Sequence, residues 1–286
     1  MNTQPLVNIF IASYNHASYI ESSILSVLEQ SYSNIELLVV DDGSKDDSVE
    51  RIKKLQKRYN FDFQAQQNQG LAKTLNDCLA RSHGSLIAPF GSDDIMLPER
   101  ITTQVNYLQD KPEVGICAGN IQIIDVNGDS LAKRDRKRPF RRLNFEDVFC
   151  YNKPGAPAPT LLFRREALEK VGGFDPEIKL EDLLIELKIT HEGYVIDVMS
   201  EVLAKYRVHD TNTYKNRRFM VDNVLKTYAL FDDHPAYSKV CSRFRNSMLL
   251  KCAKKDKLLA LELLRHLPLR SWNRKTIRAL GRLLFS

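Results

Sequence analysis

Three short polar clusters hold the side chains able to do chemistry: Ser13-Tyr14-Asn15-His16, Asp41-Asp42-Gly43-Ser44 and Gly91-Ser92-Asp93-Asp94. Adjacent carboxylates repel, and a divalent cation relieves them. Mg²⁺ or Mn²⁺ is typically held by one or two carboxylates while it bridges the phosphate oxygens of a ligand. Taken alone, an Asp-Asp pair ahead of a helix is a capping feature, because a carboxylate there accepts free backbone N–H groups. Two such pairs meeting on one edge of a sheet point instead to metal and nucleotide work. A further pair, Glu181-Asp182, opens a helical stretch, where acids are favoured by the helix dipole.

The clusters matter only if the elements before them bring them together. Apolar runs over residues 6–12, 35–41, 61–65 and 85–90 read as strands, and helical patterns lie between them. Alternation of this kind gives a parallel sheet covered by helices, with ligands beyond the carboxyl ends of the strands. Pro98 starts a further helix at its first turn. Residues 114–129 suggest a hairpin turning at Asn127-Gly128. A strand is expected over 160–163, a helix over 180–191 and two strands over 194–198 and 202–208. Residues 133–142 hold seven basic side chains and read as a solvated mobile loop or a flexible cover near an anionic ligand. The organisation expected is a nucleotide-binding half (1–110), a second half of the same domain (111–214) and a helical region (215–286).

The 286 residues are 43% hydrophobic and 27% charged, which excludes a disordered chain. No apolar run is long enough for a membrane span, and the first residues lack a signal-peptide pattern, so a cytoplasmic protein is expected. Five scattered cysteines, without a CxxC pair, suggest free thiols. The net charge of +6 conceals a split. Residues 1–214 carry 25 Lys+Arg against 31 Asp+Glu, and residues 215–286 carry 17 against 5. A basic tail on an acidic body points to a polyanionic partner, nucleic acid or an anionic membrane. Near the end, Ile277, Leu280 and Leu284 share one helical face and Arg274, Arg278 and Arg282 another, a pattern suited to a bilayer surface. The alternative is a helix packed on the body with its charges in water. Neither GxGxxG nor a Walker A loop is present, which weakens a dehydrogenase or P-loop reading.

The segments Asn8 to Asn15 (NIFIASYN), Ile35 to Ser44 (IELLVVDDGS), Asn68 to Gly70 (NQG) and Ser92 to Arg100 (SDDIMLPER) resemble the inverting family 2 glycosyltransferases. So do Gly173-Phe174-Asp175, Glu181-Asp182 and Tyr206-Arg207-Val208-His209, all in the family's order over about residues 6–214. The resemblance implies the GT-A fold, an α/β Rossmann-like mixed sheet, mainly parallel and flanked by helices, here with a C-terminal helical extension. It implies that Asp42 accepts the N3–H of a uracil or thymine ring and that Tyr14 lies against the ring. Asp94, with Asp93 beside it, would place the metal, Mn²⁺ or Mg²⁺, on the diphosphate and the sugar, and His209 would reach the metal or diphosphate. Asp182 matches the general base, ionised at neutral pH if its pKa is an ordinary value of about 3.9.

Two departures stand out. Gly91 occupies a place where many members have a further Asp, and Leu75 one where many have Arg, leaving Lys73 as the substitute cation. No processive QxxRW-type motif is visible, so one sugar per encounter is expected. The implied partners are a UDP- or dTDP-sugar donor and a glycan acceptor of the lipopolysaccharide, O-antigen or capsule type, lipid-linked, at the inner face of the cytoplasmic membrane. No nucleic acid is expected. A metal-dependent phosphohydrolase or nucleotidyl enzyme would use the same aspartates but predicts a DxDxT motif after the first strand. A binding module acting through the basic tail leaves Asp42, Asp94 and Asp182 without a role.

Overall fold

The computed structural model describes residues 4–135, 137–151 and 153–284. Its strands are β1 (Val7–Ser13), β2 (Ile35–Asp41), β3 (Asp62–Ala65), β4 (Leu86–Gly91), β5 (Ile95–Met96), β6 (Val114–Ile124), β7 (Arg141–Leu143), β8 (Leu162–Arg164) and β9 (Val195–Arg207). Helices α1 (Ile20–Leu28), α2 (Ser48–Gln56), α3 (Leu71–Arg81) and α4 (Arg100–Leu108) alternate with the early strands. They are followed by α5 (Phe145–Phe149), α6 (Arg165–Lys170) and α7 (Glu181–His191). The last four are α8 (Arg217–Ala229), α9 (Tyr237–Cys252), α10 (Lys257–Arg265) and α11 (Arg274–Leu284).

One mixed sheet runs in the order β3-β2-β1-β4-β8-β6-β9-β5, with β7 also on β9. The first four strands are mutually parallel, β8 is antiparallel to β4 and β6, and β6 and β9 are parallel. β1 sits centrally because Val7, Ile9, Phe10 and Ile11 are apolar on both faces and fully buried, the mark of a parallel strand covered on both sides. β3, with Asp62 and Gln64 along it, lies at the edge. The helices close over Ile20, Ile24, Ile52 and Ile101, which join Ile9, Ile11 and Val39 in one core.

The chain divides into two compact units, residues 1–148 with 153–209, and residues 149–152 with 210–286. The first holds the sheet. The second is helical and has its own core of Val221, Leu249, Cys252, Leu259, Leu263 and Ala279.

Several expectations are corrected. The two strands expected over 194–208 are the single β9, which spans exposed Ser200-Glu201, where Asn120 on β6 donates from Nδ2 to the Ser200 and Arg138 carbonyls, each at 2.8 Å, across a register shift. The hairpin expected over 114–129 shrinks to one bridge, Ile124 to Ser130, because Asp125 turns back on itself and accepts the N–H groups of Asn127 and Asp129. The basic run is not simply a loop: Arg141 and Arg142 lie in β7, and Arg142 grips the buried Asp197 carboxylate through Nε at 2.8 Å and Nη2 at 2.7 Å. Arg136, within that run, lies outside the described residues. α6 was not anticipated. In α11 the inward residues are Thr276, Ala279 and Leu283, whereas Ile277 and Leu284 are exposed.

Candidate active site at the carboxyl edge of the sheet

Strand register sets the geometry of the edge. Ala12 is level with Val40 and Gly91, and Ser13 with Asp41. Each strand then delivers its next polar residues to the carboxyl edge of the sheet: Tyr14 after β1, Asp42 after β2 and Ser92-Asp93 after β4. Tyr14 is 46% exposed, its ring open for stacking.

Asp41 and Asp42 have different work. Asp41 is fully buried and accepts the backbone N–H and the hydroxyl of Ser44 at 2.8 and 2.7 Å, which folds the DDGS turn. Gly43 is required in that turn, since its φ is +82° and a Cβ would stand 2.7 Å from the Asn68 nitrogen. The Asp42 carboxylate accepts from Gln66 Nε2 and the Gln69 N–H on one oxygen, and from the Gly70 N–H on the other, each at 2.9 Å. An ionised carboxylate has about four lone-pair sites, so one remains for a ligand. Thus NQG is the loop that Asp42 organises.

After β4 the chain turns back over Gly91, where a Cβ would meet Asp94 Oδ2 at 2.8 Å and Asp93 Oδ1 at 2.9 Å. A side chain at this position would have to displace those two carboxylate ends. The two neighbours point to different surroundings. Asp94 is buried and its Oδ1 accepts the Arg207 backbone N–H at 2.9 Å. Burial and the adjacent Asp93 charge push its carboxyl well above the usual range. Asp93 Oδ2 is 2.7 Å from His209 Nε2.

His16, Asp93 and His209 offer ligand atoms that all lie within 4.8 Å of one another, while Asp94 is not in that group. His16 Nδ1 is 2.7 Å from Ser92 Oγ, and the His16 and His209 rings meet edge to face at 5.6 Å. Burial lowers the His16 pKa, against the pull of Asp93, so its imidazole is neutral with a lone pair to give. Two imidazoles and a carboxylate disfavour Mg²⁺, which prefers oxygen, and suit a transition-metal ion, to which imidazole binds well.

Arg207 holds this corner together. Its Nε donates to the Asp93 carbonyl at 2.8 Å, its Nη1 to the carbonyls of Asp125 and Val126 at 3.1 Å, and its guanidinium lies 4.8 Å from the centre of the Tyr19 ring. Arg100 is fully buried near Asp94; its Nε donates to Gln104 and its Nη2 to the Leu161 carbonyl, both at 2.9 Å.

Glu181 and Asp182 open α7, and Glu186 stands one turn on. Burial raises Asp182 above the usual carboxylate range, correcting the ordinary value expected for it; the Leu183 N–H, donating at 2.7 Å, opposes the rise. Burial and the Asp182 charge push Glu181 up to about 8. The buried Glu186 is driven well above its usual value by burial and by Asp182, although the Ala156 N–H donates to it at 2.8 Å. Burial thus raises all three carboxyls, and the Asp182 charge adds to the rise on Glu181 and Glu186.

Lys73 is exposed on the first turn of α3, and the structure places it in none of these clusters. Leu75 is core, only 3% exposed. The neighbouring Asn76 instead ties α3 to the Gly172-Gly173 turn, donating to the Phe174 carbonyl at 2.6 Å and accepting its N–H at 2.9 Å. Sequence reasoning assigned no role to His16, Arg100, Arg207 or Glu186. His16, Arg100 and Arg207 lie inside or beside quoted motifs, but nothing in their spacing shows which carboxylate each one faces.

A family model described as glycosyl transferase family 2 matches residues 8–172. An uncharacterised glycosyltransferase of Nostoc is 30% identical over 228 residues, covering 73% of this chain and 66% of its own length. The O-antigen biosynthesis glycosyltransferase WbnJ of Escherichia coli is 27% identical over 220 residues, covering 74% of this chain and 83% of WbnJ. Among solved structures, S. aureus TarS in complex with UDP-GlcNAc superposes with a TM-score of 0.70 at 17% identity, over 93% of this chain and 82% of that one. The mannosyltransferase PcManGT of Pyrobaculum calidifontis, in complex with GDP-Man and Mn²⁺, gives 0.64 at 20% identity, over 99% and 88%. The strand order, the DDGS turn and the Asp-Asp corner are thus found in a chain whose sequence matches one family over more than half its length: it belongs to glycosyl transferase family 2, with the GT-A fold.

Proposed function

We propose that this protein transfers a single sugar from a UDP- or dTDP-sugar to a hydroxyl of a growing bacterial glycan, with inversion at the anomeric carbon. The observation that carries the reading is that Tyr14, Asp42 and the Ser92-Asp93 turn directly follow the carboxyl ends of three neighbouring parallel strands, with His209 against Asp93. Tyr14 offers a flat apolar face to the pyrimidine. Asp42, an acceptor with one site left, takes the ring N3–H, and the loop it braces stays in place while it does so. The N-H pattern of a cytosine, which lacks that donor, is not recognised.

Asp93, His209 and His16 would hold the divalent cation, and the adjacent buried Asp94 is kept in line by the Arg207 N–H. When bound, the cation neutralises the charge that develops on the departing diphosphate. Asp182 takes the proton of the acceptor hydroxyl as its oxygen attacks the anomeric carbon from the face opposite the diphosphate. The new C–O bond forms as the old one breaks, and the electron pair leaves with the nucleoside diphosphate. Inversion follows from that single displacement.

A lipid-linked glycan is the acceptor that suits the basic second unit, and WbnJ, named for O-antigen biosynthesis, is a relative of matching length. The test is a panel of nucleotide sugars incubated with Mn²⁺ and glycan acceptors, following product by mass. The reading expects transfer from a uridine or thymidine donor, abolished in Asp182→Asn with donor affinity retained. Hydrolysis of every donor at the same rate with and without acceptor would assign the site to a phosphohydrolase instead.

A further inference from the structure

No Asp or Glu follows Glu262, yet six Lys and Arg do, and the same stretch exposes large apolar side chains. Leu269 is 77% exposed, Trp272 39%, Ile277 67% and Leu284 75%. Isolated exposed leucines are ordinary, but four large apolar residues in sixteen, set among arginines, are a surface that water disfavours.

The geometry of α11 sorts these residues. At about 100° per residue, Ile277 and Leu284 fall within about 20° of each other, and Arg274 and Arg278 lie about 60° and 100° to one side. Thr276, Ala279 and Leu283 occupy the opposite flank and pack into the core of the second unit. Arg282 turns inward, its Nη1 donating to the Leu250 carbonyl at 3.0 Å. The outward face is therefore an aliphatic stripe with an arginine row beside it, preceded by Trp272. Gly281, between Ile277 and Leu284 on that face, has open space around it and adds no bulk.

We propose that this face docks on an anionic phospholipid bilayer, with Ile277 and Leu284 dipping among the acyl chains and Arg274 and Arg278 held at the headgroup phosphates. A helix of 11 residues is about 16 Å long and too short to cross a bilayer, so it lies in the interface. Trp272 is a residue type that settles at headgroup depth. Two other occupants fit less well. Nucleic acid is bound on stacked aromatics, whereas this surface has a single Trp among aliphatic residues. A second copy in a two-fold interface would set the arginine row against itself.

The inference adds a partner to the proposed reaction, and vesicle binding needs neither donor nor acceptor, so either can fail without the other. The experiment is co-sedimentation of the full chain with phosphatidylcholine vesicles containing about 30% phosphatidylglycerol, and with pure phosphatidylcholine. Variants Ile277→Ser/Leu284→Ser and Arg274→Gln/Arg278→Gln are compared, with thermal melts to verify folding. The expected result is binding to the anionic vesicles only, weakened about tenfold or more by each pair, and weakened by salt for the wild type. Equal sedimentation of wild type and both variants would overturn the proposal. So would equal binding to neutral vesicles, a DNA duplex that binds more tightly than the vesicles, or a dimer that dissolves in the Ile277/Leu284 variant without any vesicle binding.

Discussion

At the scale of single residues, the proposed chemistry turns on the environment of Asp182, the proposed base. Burial raises its pKa, and its neighbours Glu181 and Glu186 are raised by burial and by the Asp182 charge itself. Asp182→Asn keeps the shape and removes the base; the expectation is a fall in kcat of roughly 10²–10⁴-fold, with nucleotide affinity by calorimetry essentially unchanged. The sign of the pH dependence follows from the raised Asp182 pKa. The base works when deprotonated, so activity is lost as pH falls through that raised value. The acidic limb of the kcat/KM profile should have its midpoint above about 4, the range of an unperturbed carboxylate. A midpoint at or below that range would show that burial does not govern the group. Glu186 gives a stability counterpart. A carboxyl that is raised on folding binds more protons in the native state, so its effect is to lower stability as pH rises through the interval between its unfolded and folded values. Glu186→Gln keeps an acceptor for the Ala156 N–H and removes the titration. Its melting temperature should match wild type near pH 5 and exceed it by about 2 °C or more near pH 8.

At the scale of elements, turns and cross-strand pairs bring the site residues to their places. Gly43→Ala forces a Cβ into the Asn68 backbone at positive φ, and should cost about 1–3 kcal/mol in urea unfolding while loosening the loop that Asp42 braces. Arg142→Ala strips the guanidinium from the buried Asp197, leaving it with the Tyr107 hydroxyl at 2.8 Å, and should cost about 2 kcal/mol by the same measurement. These two cases also show what the chain makes legible. The strands over 7–13, 35–41 and 86–91 are readable because parallel strands buried on both faces are continuous apolar runs ending in polar clusters. DDGS is readable because its turn needs Asp and Gly at fixed places. The Arg142–Asp197 pair is not, since 55 residues separate partners whose meeting depends on β7 finding β9. Nor is the division of labour between Asp93 and Asp94: identical neighbours in sequence, they are told apart by one backbone N–H from Arg207, 113 residues away. The helix α11 is readable as basic and amphipathic, but which face packs is not, because Thr276 and Ala279 at inward positions are less apolar than Ile277 and Leu284 left outside.

At the scale of the molecule, the split of charge has a structural counterpart. The first unit ends at His209, the last residue of the candidate metal corner, and is net acidic; the basic excess lies wholly in the second, which has its own core. Donor chemistry and surface attachment are thereby assigned to different parts of the chain. No helix among the described residues is long and apolar enough to cross a membrane, so attachment in this scheme rests on a surface helix. The central claim is narrower: the edge formed by Asp42, Asp93, His209 and His16 binds a pyrimidine nucleoside diphosphate together with a divalent cation. The measurement that bears on it most directly is calorimetric titration of the full chain with UDP, with and without Mn²⁺, in the wild type, Asp42→Ala and Asp93→Ala. UDP should bind more tightly with Mn²⁺; Asp42→Ala should weaken binding about tenfold or more in both conditions, the size of losing a hydrogen bond to a charged group, and Asp93→Ala should abolish the Mn²⁺ effect. UDP affinity that is indifferent to Mn²⁺ and unchanged in both variants would contradict it.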